Sequence, residues 1–97
     1  MMQEIILIAQ IRAKQDKHHE LKHELTLLVE QTKTEPGCSQ FDLYFSQNDP
    51  HLFVLWERFA SQAEFDLHLQ QSYTRRYFEL TKPTLTEYTK STKLDRV

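Results

Sequence analysis

The stretch EPGCSQFDLYFSQNDPHLFVLWERF, residues 35–59, decides the fold. Phe41, Leu43 and Phe45 alternate with Asp42, Tyr44 and Ser46, the period-2 pattern of a half-buried strand over residues 39–47. Asn48-Asp49-Pro50 interrupts it as a turn, with short polar side chains that bond their own backbone followed by a proline of fixed φ. Residues 51–59 form the return strand, with Phe53, Leu55, Glu57 and Phe59 on one face and Leu52, Val54, Trp56 and Arg58 on the other. The pair predicts an antiparallel hairpin. Ahead of it, Pro36 holds Glu35 extended and Gly37 is expected to supply a left-handed step.

On the amino-terminal side, Leu21, Leu25, Leu28 and Val29 recur at helical spacing over residues 17–32, with Asp16 as the expected N-cap. Residues 4–12, EIILIAQIR, are too short for a buried helix and apolar on both faces, so they read as a central strand covered on two sides. On the carboxyl-terminal side, Ser61-Gln62-Ala63-Glu64 fits a capping box. The helix it opens should bury Phe65, His68, Leu69 and Ser72, then continue past a kink with Tyr73, Tyr77, Phe78 and Leu80 until Pro83 ends it. Threonine-rich residues 84–91 suggest a last strand, and residues 92–97 a polar arm.

The order β-α-β-β-α-β predicts an α+β, ferredoxin-like domain over residues 1–97, with its core at 4–91: a four-stranded antiparallel sheet with both helices on one face. The other face is apolar on the first and third strands and has no cover. A second copy closing a two-fold homodimer is the expected partner.

Composition excludes several functions. The 97 residues hold one glycine, so no glycine-rich phosphate cradle is available. Net charge is −2 with basic residues scattered, which argues against nucleic acid. The single cysteine forms no internal disulfide, the apolar run at 5–9 is too short to span a bilayer, and a cytoplasmic location is expected. His19 and His23 stand at i, i+4 on the first helix without a third ligand, so no metal site is assigned.

Glu35-Pro36-Gly37-Cys38 before the second strand, Asp49-Pro50 at the hairpin tip, Trp56-Glu57-Arg58-Phe59 followed by Ser61, and His68 ahead of Ser72 together resemble the antibiotic biosynthesis monooxygenase domain family over roughly residues 4–91. The resemblance implies a dimeric α+β barrel. It also implies a cofactor-independent oxygenase acting on a quinol-like or phenolic aromatic substrate. An isomerase of a small carbonyl compound on the same pocket and a non-catalytic, stress-associated binding dimer stay open as alternatives. Haem-degrading relatives carry an asparagine on the first strand, where this chain offers only Gln10, and other relatives carry a second histidine where this chain has Tyr73.

Cofactor-free oxygenation needs a base for the phenolic proton and a dry pocket for the anion. His68 is the expected base, because imidazole titrates nearest neutral pH. Glu57 is expected to orient it or to act as base itself if burial raises its pKa. An ion pair of Glu57 with Arg58, Arg75 or Arg76 is the competing reading. Trp56, Phe53, Phe65 and Tyr73 are the expected pocket wall, with Tyr44, Tyr73 and Tyr77 as possible donors to a substrate oxygen. Cys38 lacks a neighbouring base and reads as a turn residue.

Overall fold

The apolar run at the start of the chain becomes the strand around which the sheet is built. In the computed structural model, which describes residues 3–97, β1 (Ile5–Ala13) pairs antiparallel with both β3 (Asp49–Phe59) and β4 (Thr86–Leu94), and β2 (Cys38–Ser46) pairs antiparallel with β3. The strand order β2-β3-β1-β4 is the ferredoxin-like arrangement predicted from the element order. Between the strands lie α1 (His18–Thr32), then α2 (Gln62–Gln70), α3 (Ser72–Arg76), a π-helical turn (Tyr77–Thr81) and a final helical turn α4 (Lys82–Leu85).

The helices cover one sheet face. Ile5, Ala9, Ile11 and Ala13 of β1 and Phe53, Leu55 and Phe59 of β3 meet Leu21, Leu25 and Leu28 of α1, with Phe41, Tyr77 and Leu85 completing the core. Leu21, Leu25 and Phe59 are wholly enclosed, so each contributes about 1.5–3 kcal/mol of burial relative to exposure. The helix-facing residues of β3 are those that period-2 alternation assigns to one face, and Glu57 is among them.

The opposite face has no helix. Ile8, Val54 and Trp56 stand side by side there, with Ile8 paired to Trp56 and Val54 to Tyr44. Trp56 is 37% exposed and Tyr44 53%.

Several local expectations are corrected. Asp16 does not cap α1; it takes φ 64°, and Lys17 precedes the helix without a side-chain cap. The chain reverses over Lys14–Lys17, where the Lys17 amide donates to the Lys14 carbonyl at 3.0 Å, and a left-handed residue, which aspartate tolerates better than most, makes the tight turn possible. Gly37 has no positive φ; it is glycine because a Cβ there would stand 2.6 Å from the Glu64 Cβ. Ser61 does cap α2, accepting from the Glu64 amide at 3.3 Å. That helix ends at Gln70, where Gln71 turns extended, so Leu69 and Ser72 are exposed instead of buried.

Pro83 does not end the second helical region; it lies in the first turn of α4. The Lys82 amide reaches back to the Tyr77 carbonyl across the wider turn, which makes Lys82 a fresh helix start where a residue without N–H is tolerated. Thr92 to Leu94, expected in a polar arm, pair with Ile8 to Ile6 of β1.

Candidate functional site

Sequence periodicity sends two ionisable side chains, Glu57 from β3 and His68 from α2, into the layer between the sheet and the helices. Glu57 is 9% exposed and His68 3%. The imidazole is packed by aromatic rings from two strands and its own helix, with centroids 4.8 Å to Phe59, 5.6 Å to Phe41 and 6.2 Å to Phe65.

The expected Glu57–His68 pair is not formed. The carboxylate partner of His68 is Glu35, from the loop between α1 and β2, whose Oε2 lies 2.9 Å from His68 Nδ1. The same oxygen accepts the Tyr73 hydroxyl of α3 at 2.5 Å. One loop carboxylate therefore ties together two helices across the break at Gln71. Burial, and then the hydrogen bond to Glu35, pushes the Tyr73 hydroxyl pKa well up, so this phenol stays a donor.

Glu57 stands differently. The ion pairs considered for it are not formed: Arg58 pairs with Glu4, Arg75 with Glu79 and Arg76 with Glu24. Desolvation without a compensating cation pushes its pKa to about 7. The Tyr77 hydroxyl is buried, has no hydrogen-bond partner among the described residues, and is held far above its usual pKa by desolvation and then by the Glu57 charge. Thr32 and Thr74 hydroxyls are likewise buried without partners. Unpaired buried polar atoms are uncommon in folded proteins.

Cys38 borders the same layer, and burial pushes its thiol up to about 11, so it is no nucleophile at neutral pH. Phe53 and Phe65 lie on the inner side, Phe53 buried and Phe65 partly so. Trp56 and Tyr44, expected beside the site, are on the helix-free face, because Trp56 precedes Glu57 by one residue in an unbroken strand. Glu35 was legible only as part of a turn, and nothing in its spacing links it to His68. Among the described residues, no group of three or more His, Cys, Asp or Glu side chains is placed to hold a metal ion.

A ferredoxin-like sheet whose helix-covered face buries a carboxyl group, an imidazole and two phenols defines a small α+β domain with ionisable groups in its interior. The chain belongs to the antibiotic biosynthesis monooxygenase family, whose sequence profile matches residues 4–80. It is 31% identical over 64 residues to "Putative monooxygenase YcnE" of Bacillus subtilis, which covers 66% of this chain and 67% of that protein. It is 27% identical over 75 residues to the uncharacterised protein sll1783 of Synechocystis, which covers 77% of this chain but only 51% of that protein, so this chain spans about half the length of that relative. The crystal structure of PA3566 from Pseudomonas aeruginosa superposes with a TM-score of 0.93 at 30% identity, over 100% of this chain and 97% of that one.

Proposed function

We propose that this protein is a cofactor-independent monooxygenase that oxidises a quinol-like or phenolic small molecule with O2, acting as a homodimer. The observation that carries the reading is Glu57, a buried carboxyl group without an ion-pair partner whose pKa of about 7 suits it to take a phenolic proton at neutral pH. Removing that proton from a bound quinol leaves an electron-rich anion in an apolar enclosure, where charge transfer to O2 is not quenched by water. The quinol supplies all the electrons. One oxygen atom replaces a ring hydrogen as a new hydroxyl, the other leaves as water, and the ring ends as the hydroxyquinone, so atoms and electrons balance without a flavin, haem or metal.

In this reading Glu57 is the base and Tyr77 donates to the substrate oxygen. His68, oriented by Glu35, serves as the second proton carrier, while Phe53, Phe65 and Tyr73 form the wall. Trp56 and Tyr44 serve the helix-free face, where the apolar side chains around Ile8 and Val54 suit burial against a second copy.

The test is oxygen consumption with a panel of reduced quinols, run on the wild type, Glu57→Gln and His68→Ala at matched folding. Uptake above autoxidation that falls in Glu57→Gln is the expected result. Uptake equal to buffer across the panel would move the isomerase and ligand-binding readings to the front.

A further inference from the structure

Glu57 and His68 are buried beneath the helices, so a substrate must reach them past the helical layer. A cleft of about 100 Å³ opens between α1 and the α3–π-turn segment, lined by Glu24, Leu27, Gln31, Tyr73, Arg76 and Tyr77. Its two tyrosines also belong to the internal site: the Tyr73 hydroxyl donates to Glu35, and the Tyr77 hydroxyl is buried and unpartnered among the described residues. The rings are thus the partition between cleft and interior. Tyr77 opens the π-helical turn, a segment whose i→i−5 bonding recurs at functional sites. At roughly 30 Å³ of liquid volume per water, the cleft has room for about three waters, a narrow mouth that a single ring would enter edge-on and that would exclude a fused system.

Charge is divided along this path. Inside stand two carboxyl groups, Glu35 and Glu57, and among the described residues no arginine or lysine is paired to either. At the mouth, Arg76 Nη1 reaches Glu24 Oε2 at 3.4 Å, a long contact between an exposed guanidinium and a half-buried carboxylate, and its length leaves the guanidinium open to exchange. An anionic substituent is therefore disfavoured within and favoured at the mouth, where the guanidinium fork offers two parallel donors to a carboxylate.

We propose that this cleft is the mouth of the site and that Arg76 is its specificity residue, selecting single-ring quinols that carry a carboxylate at the end away from the reacting hydroxyl. The inference rests on the quinol reading for what enters first. Arg76 exchanges Glu24 for the substrate carboxylate, and the hydroxylated end points past Tyr73 and Tyr77 toward Glu57.

Calorimetric titration with two redox-inert probes, 4-hydroxyphenylacetate and its neutral amide, tests it without turnover. The acid should bind about tenfold more tightly than the amide, the worth of one charge-assisted contact. Arg76→Gln should remove that preference, with the loss falling mainly on the acid; Arg76 is exposed, so the fold tolerates the change. Glu24→Gln should strengthen acid binding by freeing the guanidinium. Equal affinities in the wild type, no binding of the acid at millimolar concentration, a preference that survives Arg76→Gln, or weaker acid binding in Glu24→Gln would each overturn the proposal. Loss of oxygen uptake with the acid preference intact would remove the oxygenase reading alone, whereas uptake without the preference would remove only this one.

Discussion

Trp56 and Glu57 are consecutive residues, and the pleat of β3 sends them to opposite sides of one sheet. On the side of Glu57 the protein provides its own cover: helices, aromatic rings and a buried acid–base group. On the side of Trp56 it leaves an apolar surface half in water. Their difference teaches that one sheet can pair a closed, helix-covered side with an open, apolar one, and under the proposed function the first serves chemistry and the second association. Substitutions on one side should leave the property of the other untouched.

The largest expected effect is at Glu57. Glu57→Gln keeps the shape and removes the titrating group, so turnover of an accepted quinol should fall at least about 100-fold, the low end of general-base contributions, while the sedimentation behaviour stays that of the wild type. A dimer lost together with turnover would break the separation of the two sides.

Next comes His68. Its replacement by alanine leaves a cavity among Phe41, Phe59 and Phe65 and strands the Glu35 carboxylate beneath α2, which should lower unfolding free energy by about 3 kcal/mol in denaturant titrations. A loss under about 0.5 kcal/mol, the range of ordinary surface changes, would show that the histidine is not part of the packed interior.

Glu57 also makes stability depend on pH. Its pKa is raised from 4.5 to about 7 in the folded state, so the folded protein holds a proton that the unfolded chain releases. The associated stability is present below pH ~4.5 and is lost as pH rises through about 7, by roughly 3 kcal/mol in total. Denaturation curves at pH 5 and pH 8 should show this decline in the wild type and a flatter response in Glu57→Gln. An identical decline in both would assign it to other groups.

On the outer side, Trp56→Ala should weaken association at least about tenfold by analytical ultracentrifugation, because a partly exposed indole between Ile8 and Asp42 is the kind of large aromatic that anchors such a contact. Quinol turnover per folded chain should change by less than about threefold. A monomeric wild type would remove the reason given for the apolar surface. The smallest effect is at the loop: Gly37→Ala should cost about 1 kcal/mol through the approach to the Glu64 Cβ, partly recovered by Glu64→Gly, which removes that atom.

The fold was readable because its signals are local. Alternation in residues 39–47 and 51–59, helical spacing of Leu21, Leu25 and Leu28, and the Ser61 cap each act within a few residues, and the elements formed close to their patterns, except that Asp49 and Pro50, read as part of the turn, already belong to β3 and the turn is Gln47-Asn48. Alternation even placed Glu57 and Trp56 on opposite faces; pooling them in one pocket disregarded it. The Glu35–His68–Tyr73 junction was not readable, since partners 33 and 38 residues apart meet only when the layers pack. The passage of the helical region through Pro83 was hidden for a similar reason. A proline reads as a stop unless a π-turn, itself without a residue signature, resets the helix just ahead of it.

The strand order has a consequence for how the protein is made. β1 emerges first from the ribosome, yet its two neighbours are β3 and β4, the last strands to be synthesised. At about 5–20 residues per second, the isoleucine-rich run at 5–9 spends several seconds without either neighbour. Translation thus imposes an interval in which the most aggregation-prone segment depends on α1, or on a chaperone, for cover.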